Sequence, residues 1–220
     1  QGQAQAHTHE GLGHQGAHGQ VPEGPGKFRV RQGGSGPHLA ADAGVRVGVG
    51  FDLHPLVAGR PLILGGVRIP SERGLDGDSD ADVLTHGILD ALLGAAGEGD
   101  IGTHFGVGRP EMRGISSLVL LERVVTLLAA KGYRPSNVDA TVIAEGPRIG
   151  PHIPAMRKSL AAVLRIDADR VNVKGTTAKG LGWLGAGQGI AAIAVASVVP
   201  VPTGRPGVSS HRTRRARHGR

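Results

Sequence analysis

Apolar and polar residues alternate along residues 45–54, which predicts a β-strand with two unlike faces. The odd positions, from Val45 to Leu53, are all large and apolar. The even positions include two glycines, at 48 and 50, followed by Asp52 and His54. Asp52 and His54 therefore point to the same side of the strand. We expect the two glycines on that side to leave room for a ligand near the backbone.

Helical and extended patterns then follow each other as far as about residue 200. The predicted strands lie at 61–67 (with Gly65 and Gly66 at its end), 137–145, 171–174 and 190–199, and the predicted helices at 82–96, from Ser116 or Ser117 to 131, and at 153–165. This interspersed order predicts an α/β (α+β) fold in which helices cover one mixed β-sheet.

The last predicted strand has a face of small side chains, Ala192, Ala194 and Ala196, which suggests close contact with another layer. The whole chain has one Trp, one Tyr and three Phe, so its core is aliphatic and contains few large side chains. A symmetric oligomer that shares strands would bury additional surface, and we expect one here.

Residues 1–44 are rich in Gly, Gln, His and Ala and hold few large apolar side chains. Such a segment buries too little surface to offset its ordering entropy, so we expect disorder. Its five histidines offer weak metal binding, but an incidental low-complexity linker is the preferred interpretation. The predicted organisation is a disordered segment at 1–44, a folded domain at 45–200 and a basic disordered tail at 201–220.

The net charge of +7 comes from the C-terminal end of the chain. Residues 205–220 hold six Arg and no acidic residue, whereas residues 45–204 hold 16 basic and 15 acidic residues. The charge of the folded part therefore gives no support for nucleic-acid binding. No apolar run approaches the roughly 20 residues of a membrane-spanning helix, so a membrane is not an expected partner either.

The chain contains no cysteine, which excludes disulfides and a thiolate zinc site. This composition fits a reducing compartment. We expect a bacterial cytoplasm, with a plastid as the alternative.

A candidate metal site combines Asp52 and His54 with His86, which lies on the predicted helix at 82–96. One carboxylate and two imidazoles suit a zinc-class divalent ion, with a fourth position open to water or substrate. Taken singly, each residue has a simpler interpretation: a strand Asp is usually a cap or a solvated group, and a helix His usually a satisfied core residue.

Asp82 and Asp90 lie four residues on either side of His86, on the same helix face. A carboxylate beside a metal-bound His commonly fixes the imidazole tautomer. Asp90 is the better candidate for that role, because its neighbours are apolar and an Asp among them needs a partner. The alternative, a carboxylate bonded to a backbone N–H, is equally plausible for Asp82 and less so for Asp90.

Two segments offer donors for a phosphate group. The acidic loop at 76–82 does not have the spacing of a calcium loop, but Ser79 and nearby N–H groups suit a phosphate at a helix start. Residues 174–177, Lys-Gly-Thr-Thr, follow a strand and form a weaker signal of the same kind.

Several long motifs occur in one order between residues 45 and 200. They are Gly50–His54, Leu64–Pro70, Ser79–Val83, His86, Asp90–Ala96, Gly99–Gly102 and Val171–Thr177. Together they closely resemble the 2-C-methyl-D-erythritol 2,4-cyclodiphosphate synthase family of the non-mevalonate isoprenoid pathway.

The resemblance implies a lyase that is a homotrimer with active sites between adjacent subunits. In the implied reaction, the 2-phosphate of a CDP-linked methylerythritol attacks the β-phosphorus of the diphosphate, and CMP leaves. It also implies that Asp52, His54 and His86 hold one zinc ion per site. Thr177 and Asp78 would be catalytic. The implied substrate-binding residues are Asp52, Leu53, His54, Asp78, Ser79, Asp100, Ile101, Gly102, Phe105, Ala144, Pro147, Thr176, Thr177 and Trp183.

The chain departs from the family pattern in charged positions. Asp78 stands where the family usually has His, and Lys179 stands where it has a Glu that binds magnesium, so whether the chain keeps a magnesium site of the family type stays open. The loop around Val107 has lost two acids, and Ala186 and Gln188 replace an Arg and a Glu near the trimer axis. The alternative function is a fold-retaining homologue with weak or no cyclase activity.

Overall fold

A computed structural model describes residues 44–106 and 108–201 of the chain. The predictions for the N-terminal segment and the basic tail concern residues outside those ranges. The strands are β1 Arg46–Ala58, β2 Leu62–Leu64, β3 Val67–Ile69, β4 Arg73–Leu75, β5 Tyr133–Ile143, β6 Val171–Thr176 and β7 Gly189–Pro200, and the helices are α1 Val83–Ala96, α2 Ile101–Phe105, α3 Ser117–Ala130, α4 Ile153–Leu164 and α5 Gly182–Gly185.

The described strands form a mixed sheet of five, in the order β4-β1-β7-β5-β6, and a separate two-stranded hairpin of β2 and β3. Within the larger sheet, β7 pairs antiparallel with both β1 and β5, while β5 and β6 are parallel. The predicted class, with helices covering one mixed sheet, is confirmed. None of the described helices is both long and apolar enough to cross a membrane.

The sequence patterns did not predict the hairpin of β2 and β3. The apolar run predicted as a strand at 61–67 ends at Leu64, and the chain turns back through Gly65 and Gly66 into β3. Both glycines adopt positive φ, 58° and 73°, a conformation that strongly favours glycine. The first strand also continues past His54 to Ala58, where it pairs with the unpredicted β4.

Helix α1 lies directly on β1, and the two glycines of β1 make that possible. A Cβ at Gly50 would stand 2.0 Å from the carbonyl oxygen of Gly87, and one at Gly48 would stand 2.1 Å from that of Ala91. Both distances are far below van der Waals contact. The expectation that these glycines leave room for a ligand is wrong, because the space they leave is filled by the helix backbone.

The core lies between the sheet and its helices. Ala192, Ala194 and Ala196 of β7 are fully buried on the side that faces α1, as their small size predicted. Helix α1 is buried over most of its length, from Val83 to Ala96, so it is the central helix of the layer.

The opposite face of the sheet is apolar and open to solvent within this chain. Val49 is 63% exposed and Phe51 is 52% exposed, and they pair with Val195 and Ile193, which are also exposed. Val45, Val47 and Leu53 continue this face along β1. We call these seven residues the open apolar face. A contiguous apolar patch on a sheet is typical of a surface that contacts another molecule.

The Gly50→Ala substitution should destabilise the fold by about 3 kcal/mol or more, because a methyl group cannot fit against the Gly87 carbonyl. Gly94→Ala is the matched control: a Cβ there meets only the Val49 carbonyl oxygen, at 3.9 Å. It should leave stability unchanged or raise it by about 0.5–1 kcal/mol. Urea unfolding followed by circular dichroism measures both. Equal stability of the two variants would contradict the close approach of β1 and α1.

Candidate metal centre and substrate cavities

Asp52 and His54 on β1 meet His86 on α1 at one point. The Oδ2 atom of Asp52 lies 2.9 Å from both Nε2 of His54 and Nδ1 of His86. The two imidazole nitrogens are 3.3 Å apart. All three atoms lie within 4.8 Å of one another, so they can bind one divalent metal ion together.

Each imidazole of this triad has an acceptor at its other nitrogen. Nδ1 of His54 lies 2.6 Å from the Asp76 carbonyl oxygen, and Nε2 of His86 lies 3.1 Å from Oγ of Ser79 and 3.0 Å from Oγ of Ser117. If these nitrogens carry the protons, the other two are unprotonated and face each other across the site. That is the arrangement metal-binding histidines usually show.

Hydrogen bonds and charges within the triad shift the pKa values of Asp52 and His54. Burial raises the pKa of Asp52, but hydrogen bonds and Coulombic attraction from His54 and His86 outweigh burial and hold that pKa far below its usual range. Burial lowers the pKa of His54, but the hydrogen bond and charge of Asp52 outweigh it and leave that pKa raised. Asp52 is therefore ionised across the physiological range, which is the form that a metal ion needs.

Asp90 does not contact His86 as expected. Its carboxylate accepts a hydrogen bond of 2.8 Å from the backbone N–H of Ile101, so it holds the start of α2 instead. The place predicted for Asp90 beside the histidine is taken by the two serine hydroxyls. The prediction was wrong because spacing along a helix identifies a shared face but not the direction of a side chain.

Asp82 is the structural carboxylate that the alternative interpretation described. It is fully buried and accepts hydrogen bonds from the N–H groups of Gly65, Gly66 and Thr85 and from the Thr85 hydroxyl, at 2.7–3.0 Å. Burial raises its pKa, and these hydrogen bonds oppose the shift. This one side chain caps α1 and ties the β2–β3 turn to it.

A cavity of about 220 Å³ opens beside the triad. It brings together most of the residues predicted to hold the phosphate and sugar end of a substrate. These are Asp52, His54, Asp78, Ser79, Ile101, Gly102 and Phe105, joined by His86 and Asp90. Asp100 caps α2 next to this cavity and accepts from the N–H and hydroxyl of Thr103.

A larger cavity of about 450 Å³ lies between the loop after β5 and the end of β6. Its walls include Ala144, Pro147, Thr176 and Thr177, all predicted substrate residues. It shares no residue with the cavity beside the triad. In a single chain, most of the predicted substrate residues therefore fall into two cavities with different walls.

Three predicted substrate residues line neither cavity: Asp100, which caps α2, and also Leu53 and Trp183. The Leu53 side chain belongs to the open apolar face, on the opposite side of β1 from Asp52 and His54. Trp183 lies on α5 and is 45% exposed, with its ring against Gly189.

Comparison with known proteins places this geometry in a family. The model of the YgbB family matches residues 45–199. The chain belongs to the YgbB family. A 2-C-methyl-D-erythritol 2,4-cyclodiphosphate synthase from Symbiobacterium thermophilum is 59% identical over 152 residues, which cover 69% of this chain and 97% of the relative. A synthase of the same name from Pelobacter propionicus is 57% identical over 155 residues, which cover 70% of this chain and 98% of that relative.

Solved structures of YgbB-like proteins share the fold. A 2C-methyl-D-erythritol-2,4-cyclodiphosphate synthase in a form bound to CDP matches with a TM-score of 0.64 and 37% identity, over 70% of this chain and 99% of that one. The bifunctional IspDF of Campylobacter jejuni matches with a TM-score of 0.69 and 36% identity, over 71% of this chain. The match spans 42% of the bifunctional chain. The resemblance drawn from the sequence motifs is confirmed.

Two of the departures from the YgbB pattern have visible structural roles. Oδ2 of Asp78 accepts a hydrogen bond of 2.8 Å from the N–H of Gly108, and its carbonyl accepts one from Gly114. Lys179 has a positive φ of 56°, and its N–H donates to Oγ1 of Thr177 at 3.3 Å. Asp78 thus holds a loop beside the metal cavity, and Lys179 forms part of the turn that carries Thr177.

Sequence reasoning missed Arg60 as a support of the site. Its guanidinium pairs with Asp76 at 2.9 Å and donates to the carbonyls of Gly77 and Ser79. It also missed the contact of Ser117 with His86, since Ser117 was considered only as a helix cap. No spacing signal could have revealed either contact, because 16–31 residues separate the partners.

The Asp82→Ala substitution should destabilise the fold by about 3 kcal/mol or more, because it leaves buried N–H donors unpaired. Asp100→Ala is the matched control: that Asp also caps a helix, but it is exposed, so its loss should cost much less stability than the loss of Asp82. Urea unfolding measures both. Metal content should stay unchanged in each folded variant. If folded Asp82→Ala protein loses the metal, Asp82 supports the metal-binding His86 after all, and the purely structural role given to it here is wrong.

Proposed function

We propose that this chain is a zinc-dependent cyclase that converts 4-diphosphocytidyl-2-C-methyl-D-erythritol 2-phosphate into 2-C-methyl-D-erythritol 2,4-cyclodiphosphate. An oxygen of the 2-phosphate attacks the β-phosphorus of the diphosphate, and the bond from that phosphorus to the CMP oxygen breaks. CMP leaves with the bonding electrons. The observation that carries the proposal is the Asp52–His54–His86 triad beside a cavity, in a chain whose relatives bear this synthase name.

The donor set fits zinc. One carboxylate oxygen and two imidazole nitrogens converge, and the imidazoles are held at their other nitrogens by acceptors. Asp52, His54 and His86 would hold the ion, which when bound acts as a Lewis acid at the diphosphate oxygens.

The other residues position the substrate, which is the main task of a protein in phosphoryl transfer. The Ser79 hydroxyl and the N–H groups around it hold a phosphate oxygen, while Asp100 and Gly102 bind the ribose. The cavity at Ala144–Pro147 receives the cytosine, and the Thr177 hydroxyl contacts the phosphate bridge. Asp78 acts in catalysis by holding the neighbouring loop against the substrate. Lys179 supplies positive charge to the diphosphate, in place of a second metal ion.

We propose further that the working molecule is a homotrimer in the cytoplasm, with each active site shared by two subunits. Within one chain the metal and nucleotide cavities share no lining residue, which supports an assembly in which the metal cavity of one subunit adjoins the nucleotide cavity of its neighbour. The open apolar face provides the surface that joins the subunits. Burial of this face would add hydrophobic contacts to those of a core that contains few large aromatic side chains.

The full chain with zinc should release CMP from the proposed substrate, and it should do so without added magnesium. His86→Ala should lose zinc and at least about a hundredfold of the rate while remaining a trimer, because it removes one of three metal ligands. His104→Ala, a histidine outside the triad, is the control for zinc content. Chromatography of CMP and metal analysis give the readouts. Stoichiometric zinc and an intact trimer without CMP release would favour the fold-retaining homologue instead.

Val49→Asp should convert the trimer to monomers, because it places a charge in the centre of the open apolar face. The matched control is Val119→Asp on α3, an exposed valine outside that face. Light scattering on both variants gives the mass in solution. A wild-type monomer, or a trimer that survives Val49→Asp, would overturn this assembly.

A further inference from the structure

Behind the metal triad, a continuous row of hydrogen bonds runs from His86 into the protein. Nε2 of His86 lies 3.0 Å from Oγ of Ser117, and that hydroxyl donates to Oδ1 of Asp80 at 2.5 Å. Ser117 is fully buried and does not line the cavity beside the triad. The Ser117 side chain is therefore out of reach of a substrate in that cavity.

The direction of each hydrogen bond follows from the chemistry of the groups. The Ser117 hydroxyl donates and the carboxylate oxygen of Asp80 accepts, so the Ser117 hydroxyl hydrogen points to Asp80. The oxygen of Ser117 then has lone pairs free toward His86 and accepts its Nε2–H. The backbone N–H of Ser117 also donates to Oδ2 of Asp80 at 3.0 Å. Two bonds to one carboxylate thus fix the orientation of Ser117.

This arrangement also explains the start of helix α3. Ser116 is the N-cap residue, yet its side chain makes no capping hydrogen bond. Asp80, far away in sequence, accepts the N–H of the first helical residue in its place. The same carboxylate therefore holds α3 and the residue that contacts the metal ligand.

Ser79 competes for the same proton of His86. Its Oγ lies 3.1 Å from Nε2, and that oxygen also accepts from the N–H of Ala81 at 3.1 Å. A neutral imidazole with Nδ1 on a metal has only one proton to give, at Nε2. Ser79 lines the cavity, whereas Ser117 does not, so the two hydroxyls are placed for different partners.

We propose that Ser117 is a positioning residue which, oriented by Asp80, accepts the Nε2–H of His86 and so keeps Nδ1 turned to the metal. Ser79 is thereby free to direct its hydroxyl hydrogen into the cavity, toward a phosphate oxygen of the substrate. This inference rests on the zinc site proposed above.

The test measures the zinc dissociation constant of the full chain by competition with a chelator dye. Ser117→Ala should weaken zinc binding about ten- to hundredfold, the usual effect of removing a partner behind a metal ligand. Asp80→Asn should also weaken zinc binding. An amide N–H of the new Asn would donate to the Ser117 oxygen and turn the Ser117 hydroxyl hydrogen toward His86, so that Ser117 no longer accepts the Nε2–H. Ser116→Ala is the matched control, with a neighbouring serine that has no side-chain cap bond, and should keep the wild-type constant.

A second readout separates positioning from general loosening of the fold. In zinc-loaded, ¹⁵N-histidine-labelled protein, the Nε2–H of His86 should exchange slowly with water in the wild type and in Ser79→Ala, and quickly in Ser117→Ala. Ser79→Ala should leave the zinc constant within about threefold and raise KM. All variants are compared only where their thermal unfolding shows a folded protein.

The outcomes distinguish this inference from the proposed function. A wild-type protein that binds no zinc overturns both. Tight zinc binding in the wild type, with an unchanged constant and slow exchange in Ser117→Ala, overturns this inference alone. If Ser79→Ala, and not Ser117→Ala, weakens zinc binding, Ser79 is the acceptor of the His86 proton and the assignment of the two serines is reversed.

Discussion

The contact between β1 and α1 is the constraint on which the rest of the structure depends. Glycine at 48 and 50 lets the strand and helix backbones approach more closely than any side chain permits. This distance sets how far His86 on the helix lies from Asp52 and His54 on the strand, and so whether three ligand atoms can meet. A metal centre made from two different elements requires that they be held together rigidly, and here the core itself does so.

The acidic loop between β4 and α1 serves the fold more than it serves a ligand. Each of its carboxylates has its own protein partner: Asp76 pairs with Arg60, Asp78 accepts from Gly108, Asp80 from Ser117 and Asp82 from the β2–β3 turn. Closely spaced acids would repel one another if all faced the same solvent. Because they point to separate donors, the loop adopts one conformation and presents Ser79 to the cavity.

A single chain carries two incomplete features. Its open apolar face exposes large aliphatic side chains and Phe51, and most of its predicted substrate residues fall into two cavities that share no lining residue. Both become understandable if the chain works as one member of an assembly, in which the apolar face is covered and cavities of neighbouring copies adjoin. Strand β1 contributes to both features because its side chains alternate. Asp52 and His54 lie on the side of the metal site, and Val49 and Phe51 lie on the open apolar face.

The sequence by itself determined the long strands and helices and the types of the metal ligands, but not the β2–β3 hairpin or the short strand β4. Strict alternation predicted β1 and its two faces, apolar periodicity and caps predicted α1 and α3, and ordered motifs predicted the triad, because all of these depend on local chemistry or on a family's long shared pattern. Only the tertiary structure decided which groups meet across long stretches of chain. It directed Asp90 to Ile101, placed Ser117 and Asp80 behind His86, and filled the space above Gly50 with a helix rather than a ligand. Such contacts join residues of distant segments, and side-chain direction there is set by how the layers fit together, which no local pattern encodes.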